Sequence, residues 1–227
     1  MSGETFAAIV GAIVGTVGGG LISLFLQIYG LRKAGKEKAQ DALDHQRALG
    51  MALIYKIGRV YSHLRVIRGS LEQSLKKGAA AGLSEKWQML QPAIATLEHV
   101  HFSSDEMTLL LTLGDHKLFN DMMAIDELHN MSIDVLKEYS RLREELTSML
   151  PPVHKLEGLT GEFAFTPEQA GVLRPRMAGL NNLIDGMIAY AERDEKAAWS
   201  TIERLQQLLK SQLGLTYEFN QKTNTLL

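Results

Sequence analysis

The residues in this chain best suited to chemistry are histidines paired with carboxylates. Glu98-x-x-His101 and Asp126-x-x-His129 each set an acid and an imidazole three positions apart, a spacing that brings both onto one face of a helix. Carboxylate-bridged dimetal bundles use two Glu-x-x-His pairs together with two further inward Glu. Here one pair carries Asp, and Glu98 and His101 straddle an expected helix end, so the ligand set falls short of that pattern. With 26 acids and 7 histidines in 227 residues, such spacings also arise by chance. No metal or other cofactor is expected, and Glu98, His101, Asp126 and His129 stand as the candidate ligands should a metal bind.

Other chemistries have less to work with. A nucleophilic serine needs a neighbouring base on a shaped turn. Ser103-Ser104 lies close to His99, His101 and Asp105, but serine just ahead of an apolar helical run is the usual N-cap. The chain has no cysteine, which excludes disulfides, thiolate metal sites and cysteine nucleophiles. No P-loop is present, and the glycines between positions 11 and 20 lie inside an apolar run rather than after a strand, so nucleotide chemistry has no support. The sequence names no catalytic residue, and it leans away from an enzyme.

The elements that would position these residues begin with an uncharged stretch. From Thr5 to Leu31 no side chain is charged, and a helix of that length would run about 40 Å, more than the ~30 Å hydrocarbon core of a bilayer. A cleaved signal peptide would open with basic residues and close at small ones. This segment opens Met-Ser-Gly-Glu and closes on Phe25-Leu26-Gln27-Ile28-Tyr29, so a retained transmembrane anchor over 1–31 is expected. Arg32, Lys33, Lys36 and Lys38 follow it with no positive charge before it, which places the N-terminus outside and residues 32–227 in the cytoplasm of a cell membrane. Those four cations would also meet anionic headgroups. Ala7, Gly11, Gly15 and Gly19 recur every four residues, a row of small side chains along which a second membrane helix can pack closely.

The charge asymmetry continues beyond the anchor. Residues 32–77 hold 11 Lys/Arg against 4 Asp/Glu, and residues 78–227 hold 13 against 21. The basic residues of the first segment, among them Lys56, Arg59 and Arg68, are expected to pair with an acidic helix carrying Asp115, Asp121, Asp126, Glu127 and Asp134. Nucleic acid is a poor fit, because the basic face lacks interleaved aromatics and the whole chain is slightly acidic, at −2.

Periodicity predicts an all-α fold in which the transmembrane helix continues into an antiparallel, coiled-coil-like helical bundle. Leu53, Ile57, Val60, Leu64, Ile67 and Leu71 step by four and three, giving a seam within a basic first helix over 32–77. The rest of the bundle is expected over 78–214. It begins after the break at Gly78–Gly82 with a short helix from Glu85 to about His99, kinked at Pro92. A serine of the Ser103-Ser104 pair should cap a short helix, and Asp115 should open a long one to about Leu150 with a stripe through Leu118, Met122, Ile125, Leu128, Met131, Val135 and Tyr139. A loop is expected over 153–166. Thr166-Pro167-Glu168-Gln169 then starts the last helix, whose stripe from Leu173 to Leu209 is interrupted at Asp194. A weakly patterned tail covers 215–227. Met122, Met123, Met131, Met149, Met177 and Met187 are expected mainly as core filling rather than as a docking groove.

The sequence therefore points to a membrane-anchored interaction or assembly protein that meets lipid and either a second copy or a protein partner. A membrane effector or signal transducer acting through the glycine-rich span is the alternative from another class. A dimetal or hydrolytic bundle enzyme is the third.

Overall fold

A computed structural model describes the backbone of residues 3–91, 97–152, 155–157, 160–217, 219–220 and 225–226, and the side chains of residues 27, 29–91, 97–152 and 163–217. The elements are α1 (Gly3–Ala80), α2 (Lys86–Met89), α3 (Ser104–Thr112), α4 (His116–Ser148), β1 (Lys155–Glu157), β2 (Thr160–Glu162), α5 (Pro167–Leu213), β3 (Phe219–Asn220) and β4 (Thr225–Leu226). The chain divides into two compact units, Met1–Ala48 and Leu49–Leu227.

The first unit holds the leading part of α1. Tyr29 and Leu31 are 61% and 74% exposed, and Arg32, Lys33, Lys36 and Lys38 are exposed as well. Lys33 pairs loosely with Glu37, one turn on, at 4.0 Å. Among the described residues no helix is long and apolar enough to cross a membrane. Most side chains of the expected anchor lie outside the described residues, and with them the packing row Ala7, Gly11, Gly15 and Gly19.

The second unit is a helical bundle built from the rest of α1 with α4 and α5. All six seam residues of α1, Leu53 to Leu71, are buried, because a four-three spacing keeps one stripe of a helix facing its partners. Two long helices are antiparallel to α5. Arg204 meets Asp115 at one end of α4 while Arg176 meets Glu145 at the other, and Gly50 packs against Leu209 while Arg68 meets Glu195. The remaining pair departs from the antiparallel expectation. His63 meets His129, and further along Ile67 and Leu71 share a cluster with Tyr139 and Leu146, so α1 and α4 run parallel. The connection through α2 and α3 has to carry the chain back to the starting end between them.

Local signals set the helix ends as the sequence implied. Ser103 caps α3, and Glu106 completes a capping box. Asp115 caps α4, and Thr166 with Gln169 does the same for α5 with Pro167 at its first turn. Each satisfies amide N–H groups that a helix start leaves unpaired. Gly214 ends α5 at φ 66, a left-handed geometry that glycine adopts without a Cβ clash. Pro175 lies within α5, and the helix runs through it.

Three expectations need correction. The helix expected from Glu85 to His99 is a single turn, α2, and residues 97–103 form a non-helical strap; Pro92 lies outside the described residues. The stripe of α4 is rotated around its middle: Met131 is 49% exposed, and His129 and Ile133 take the buried positions. β1 pairs with β2, and β3 with β4, as two small antiparallel ladders where only loop and tail were expected.

Candidate functional site

A strap without secondary structure cannot pair its own amides and carbonyls, so other residues must supply partners. Long-helix side chains do so here. Asn130 of α4 reads Val100 as a second backbone would, its Oδ1 accepting the Val100 N–H at 3.1 Å and its Nδ2 donating to the Val100 carbonyl at 3.0 Å. Lys56 of α1 donates to the His101 carbonyl at 2.9 Å and to Glu106 at 2.8 Å. Glu106 is itself only 4% exposed and accepts the Ser103 N–H. At the preceding turn, the buried Tyr139 hydroxyl donates to the Leu90 carbonyl at 2.7 Å, and Arg143 Nε donates to the Trp87 carbonyl at 3.1 Å.

Beneath this strap lies a histidine pair. His63 Nδ1 of α1 and His129 Nε2 of α4 are 3.0 Å apart, and His129 Nδ1 lies 3.1 Å from Asn130 Oδ1. One assignment of protons satisfies all these atoms. His63 Nδ1–H donates to His129 Nε2, His129 Nδ1–H donates to Asn130 Oδ1, and Asn130 Nδ2–H donates to the Val100 carbonyl. This chain of hydrogen bonds requires the His129 ring to be neutral, since its Nε2 accepts, while His63 needs only its Nδ1 proton. Burial is the main reason that His129 is neutral. His129 is fully enclosed, and desolvation, followed by the neighbouring His63, brings its pKa down to about 4. His63 is lowered too, first by burial and then by Arg59, with Glu98 opposing.

Charged groups surround the pair on three elements. Arg59 of α1 meets Glu98 of the strap at 3.3 Å, and His99 of the strap meets Asp134 of α4 at 2.9 Å. His101 Nδ1 stands 4.0 Å from Asp126 Oδ2. Burial raises the Asp126 pKa, against the opposing effects of His101 and Asn130.

The four residues named from sequence therefore come to one region without converging on one point. Asp126 and His129 share α4, but Asp126 faces His101 while His129 turns inward to His63. Glu98 pairs with Arg59 instead of joining them. Among the described residues no group of three or more His, Cys, Asp or Glu is placed to hold a metal. Ser103 Oγ accepts the Glu106 N–H at 3.3 Å, which is the work of a cap. His63 and Asn130 were not singled out by sequence reasoning. A polar residue set among the apolar positions of a buried helix face was the available signal for His63.

The ion pairing also differs from expectation. Lys56 pairs with α3, Arg59 with the strap and Arg68 with Glu195 of α5 at 2.6 Å. Asp115 of α4 instead takes Arg204 of α5. Parallel packing of α1 beside α4, with the strap along them, brings other acids to those cations first.

No family model matches the chain, and no curated protein and no solved structure matches it either.

Proposed function

We propose that this protein is a single-pass membrane-anchored assembly module, non-enzymatic, whose helical bundle lies on the cytoplasmic side and associates through its anchor. The observation that carries this reading is the uncharged run Thr5–Leu31, which falls within α1 and is followed by the exposed cations Arg32, Lys33, Lys36 and Lys38. Tyr29 and Leu31, large and apolar, stay exposed at the end of that run. Such side chains suit the interface of a bilayer, where an aromatic ring meets headgroups. The histidines and carboxylates are engaged with one another and with backbone groups, an arrangement that suits holding a bundle together.

Because the chain has no cysteine, single introduced thiols report topology directly. Ser2→Cys should react with a membrane-impermeant maleimide on intact cells or right-side-out vesicles, and Ser211→Cys only after permeabilisation. Gly11→Leu with Gly15→Leu should weaken detergent-stable oligomers, since bulky side chains separate helix backbones that small ones let meet. Recovery of the full chain in the supernatant of a detergent-free ultracentrifugation would end the membrane reading. Unchanged oligomer size in the double variant would end the packing part alone.

A further inference from the structure

Between α4 and α5 lies a cavity of about 360 Å³, within the usual range for a small-molecule site. Leu64 and Ile67 of α1 line it, together with Val135 of α4 and Leu183 and Met187 of α5. Gly186 helps keep it open: a Cβ built there meets only the Tyr190 ring edge, at 3.9 Å. One charged group belongs to this mainly apolar lining, which also includes Ser132 and Asn182. Asp194 is 2% exposed, and it sits in the stripe of α5 where an apolar residue would continue the core. Arg193 reaches only its Oδ1, at 2.8 Å. No hydrogen bond to Oδ2 occurs among the described residues. The Arg193 guanidinium lies over the exposed Tyr190 ring, 4.7 Å from its centroid, at the margin of the same cavity.

A carboxylate withdrawn from water costs free energy unless donors satisfy both oxygens. At Asp194 the protein supplies donors to one, and the other, which is not among the sealed oxygens without a partner, is left to whatever occupies the cavity. An apolar cavity beside an undersupplied carboxylate is complementary to a molecule with an apolar body and a single cationic donor. We propose that this cavity binds a small hydrophobic amine, its ammonium hydrogen-bonded to Asp194 and its apolar body lying along Val135, Leu183 and Met187. The volume suits a ligand on the order of a dozen heavy atoms rather than a helix of another protein.

The test uses the full chain in detergent and three ligands of one shape: 4-phenylbutylamine, 4-phenylbutanol and 4-phenylbutyrate, followed by calorimetry and ligand-observed NMR. The amine should bind saturably, about tenfold or more tighter than the alcohol, as a charge-assisted hydrogen bond requires, and the acid should bind weakest. Gly186→Leu, which fills the cavity from its wall, should abolish amine binding with helicity unchanged. Asp194→Asn should bring amine and alcohol to similar affinity. Amine binding that survives Gly186→Leu would belong to the micelle or to another surface and would overturn the proposal, as would absence of binding by all three ligands. Tightest binding by the acid would show Arg193 to be the partner and would equally overturn it. If Asp194→Asn fails to fold, the Gly186→Leu result and the order of the three ligands decide the matter.

Discussion

Acidifying the protein from pH 7 to pH 5 should loosen the bundle at one identifiable place. His129 is fully enclosed and its pKa is held down to about 4, whereas the unfolded chain exposes an ordinary imidazole near 6.5. Between those values the unfolded state binds a proton that the folded state refuses, so stability falls as pH falls, by as much as about 1.4 kcal/mol per pH unit. The loss begins below about 6.5 and levels off below about 4. At pH 5 it amounts to roughly 2 kcal/mol from this residue, a sizeable share of the roughly 5–15 kcal/mol that holds a typical domain together. His63 shifts in the same direction and adds to the effect. Other groups nearby also titrate or carry charge: Arg59 on α1, Glu98, His99 and His101 on the strap, and Asp126 and Asp134 on α4. The comparison must therefore be made against a variant that removes only the buried ring. Denaturant unfolding followed by tryptophan fluorescence suits this, since Trp87 and Trp199 both lie in the bundle unit. His129→Leu should be destabilised at pH 7, yet its stability should fall by about 2 kcal/mol less than the wild type's between pH 7 and pH 5. Equal pH dependence of the two proteins would refute the reasoning, because it would mean that the enclosed imidazole takes up no extra proton on unfolding.

Two further outcomes follow from the strap. Asn130→Ala removes both partners of the buried Val100 peptide groups and should cost about 2–3 kcal/mol. Hydrogen exchange should show the Val100 amide losing protection while the amides in the middle of α5 keep theirs. Lys56→Met leaves the Glu106 carboxylate, 4% exposed, with the Ser103 N–H as its one remaining donor among the described residues. Because the lysine is itself partly solvated, a loss of about 2 kcal/mol is expected, readable as a lower denaturation midpoint at pH 7. Glu106→Gln in the Lys56→Met background should recover part of it, since a neutral amide tolerates burial better than an unpaired charge.

Local sequence pattern sets every helix except the one after Glu85, and where those helices stop. Thr166-Pro167 with Gln169, Ser103 with Glu106, Asp115, and the glycines at 82, 114 and 214 act within a few residues of the helix ends they set. The seam of α1 and the long stripe of α5 are equally local, because a period of 3.6 residues fixes which side chains share a face. Even the buried Asp194 could be located in advance as the polar break in that stripe. The strap and the site beneath it arise from packing between distant parts of the chain. Residues 97–103 carry no periodicity, and their conformation depends on Asn130 and Lys56, some 30 to 45 positions away along the chain. His63 and His129, separated by 66 positions, meet because α1 and α4 run parallel, and no local pattern encodes that direction. The same packing turned Met131 outward and His129 inward. A helix face is set by its own spacing, but which part of a broad apolar face becomes the centre is set by the neighbours that cover it.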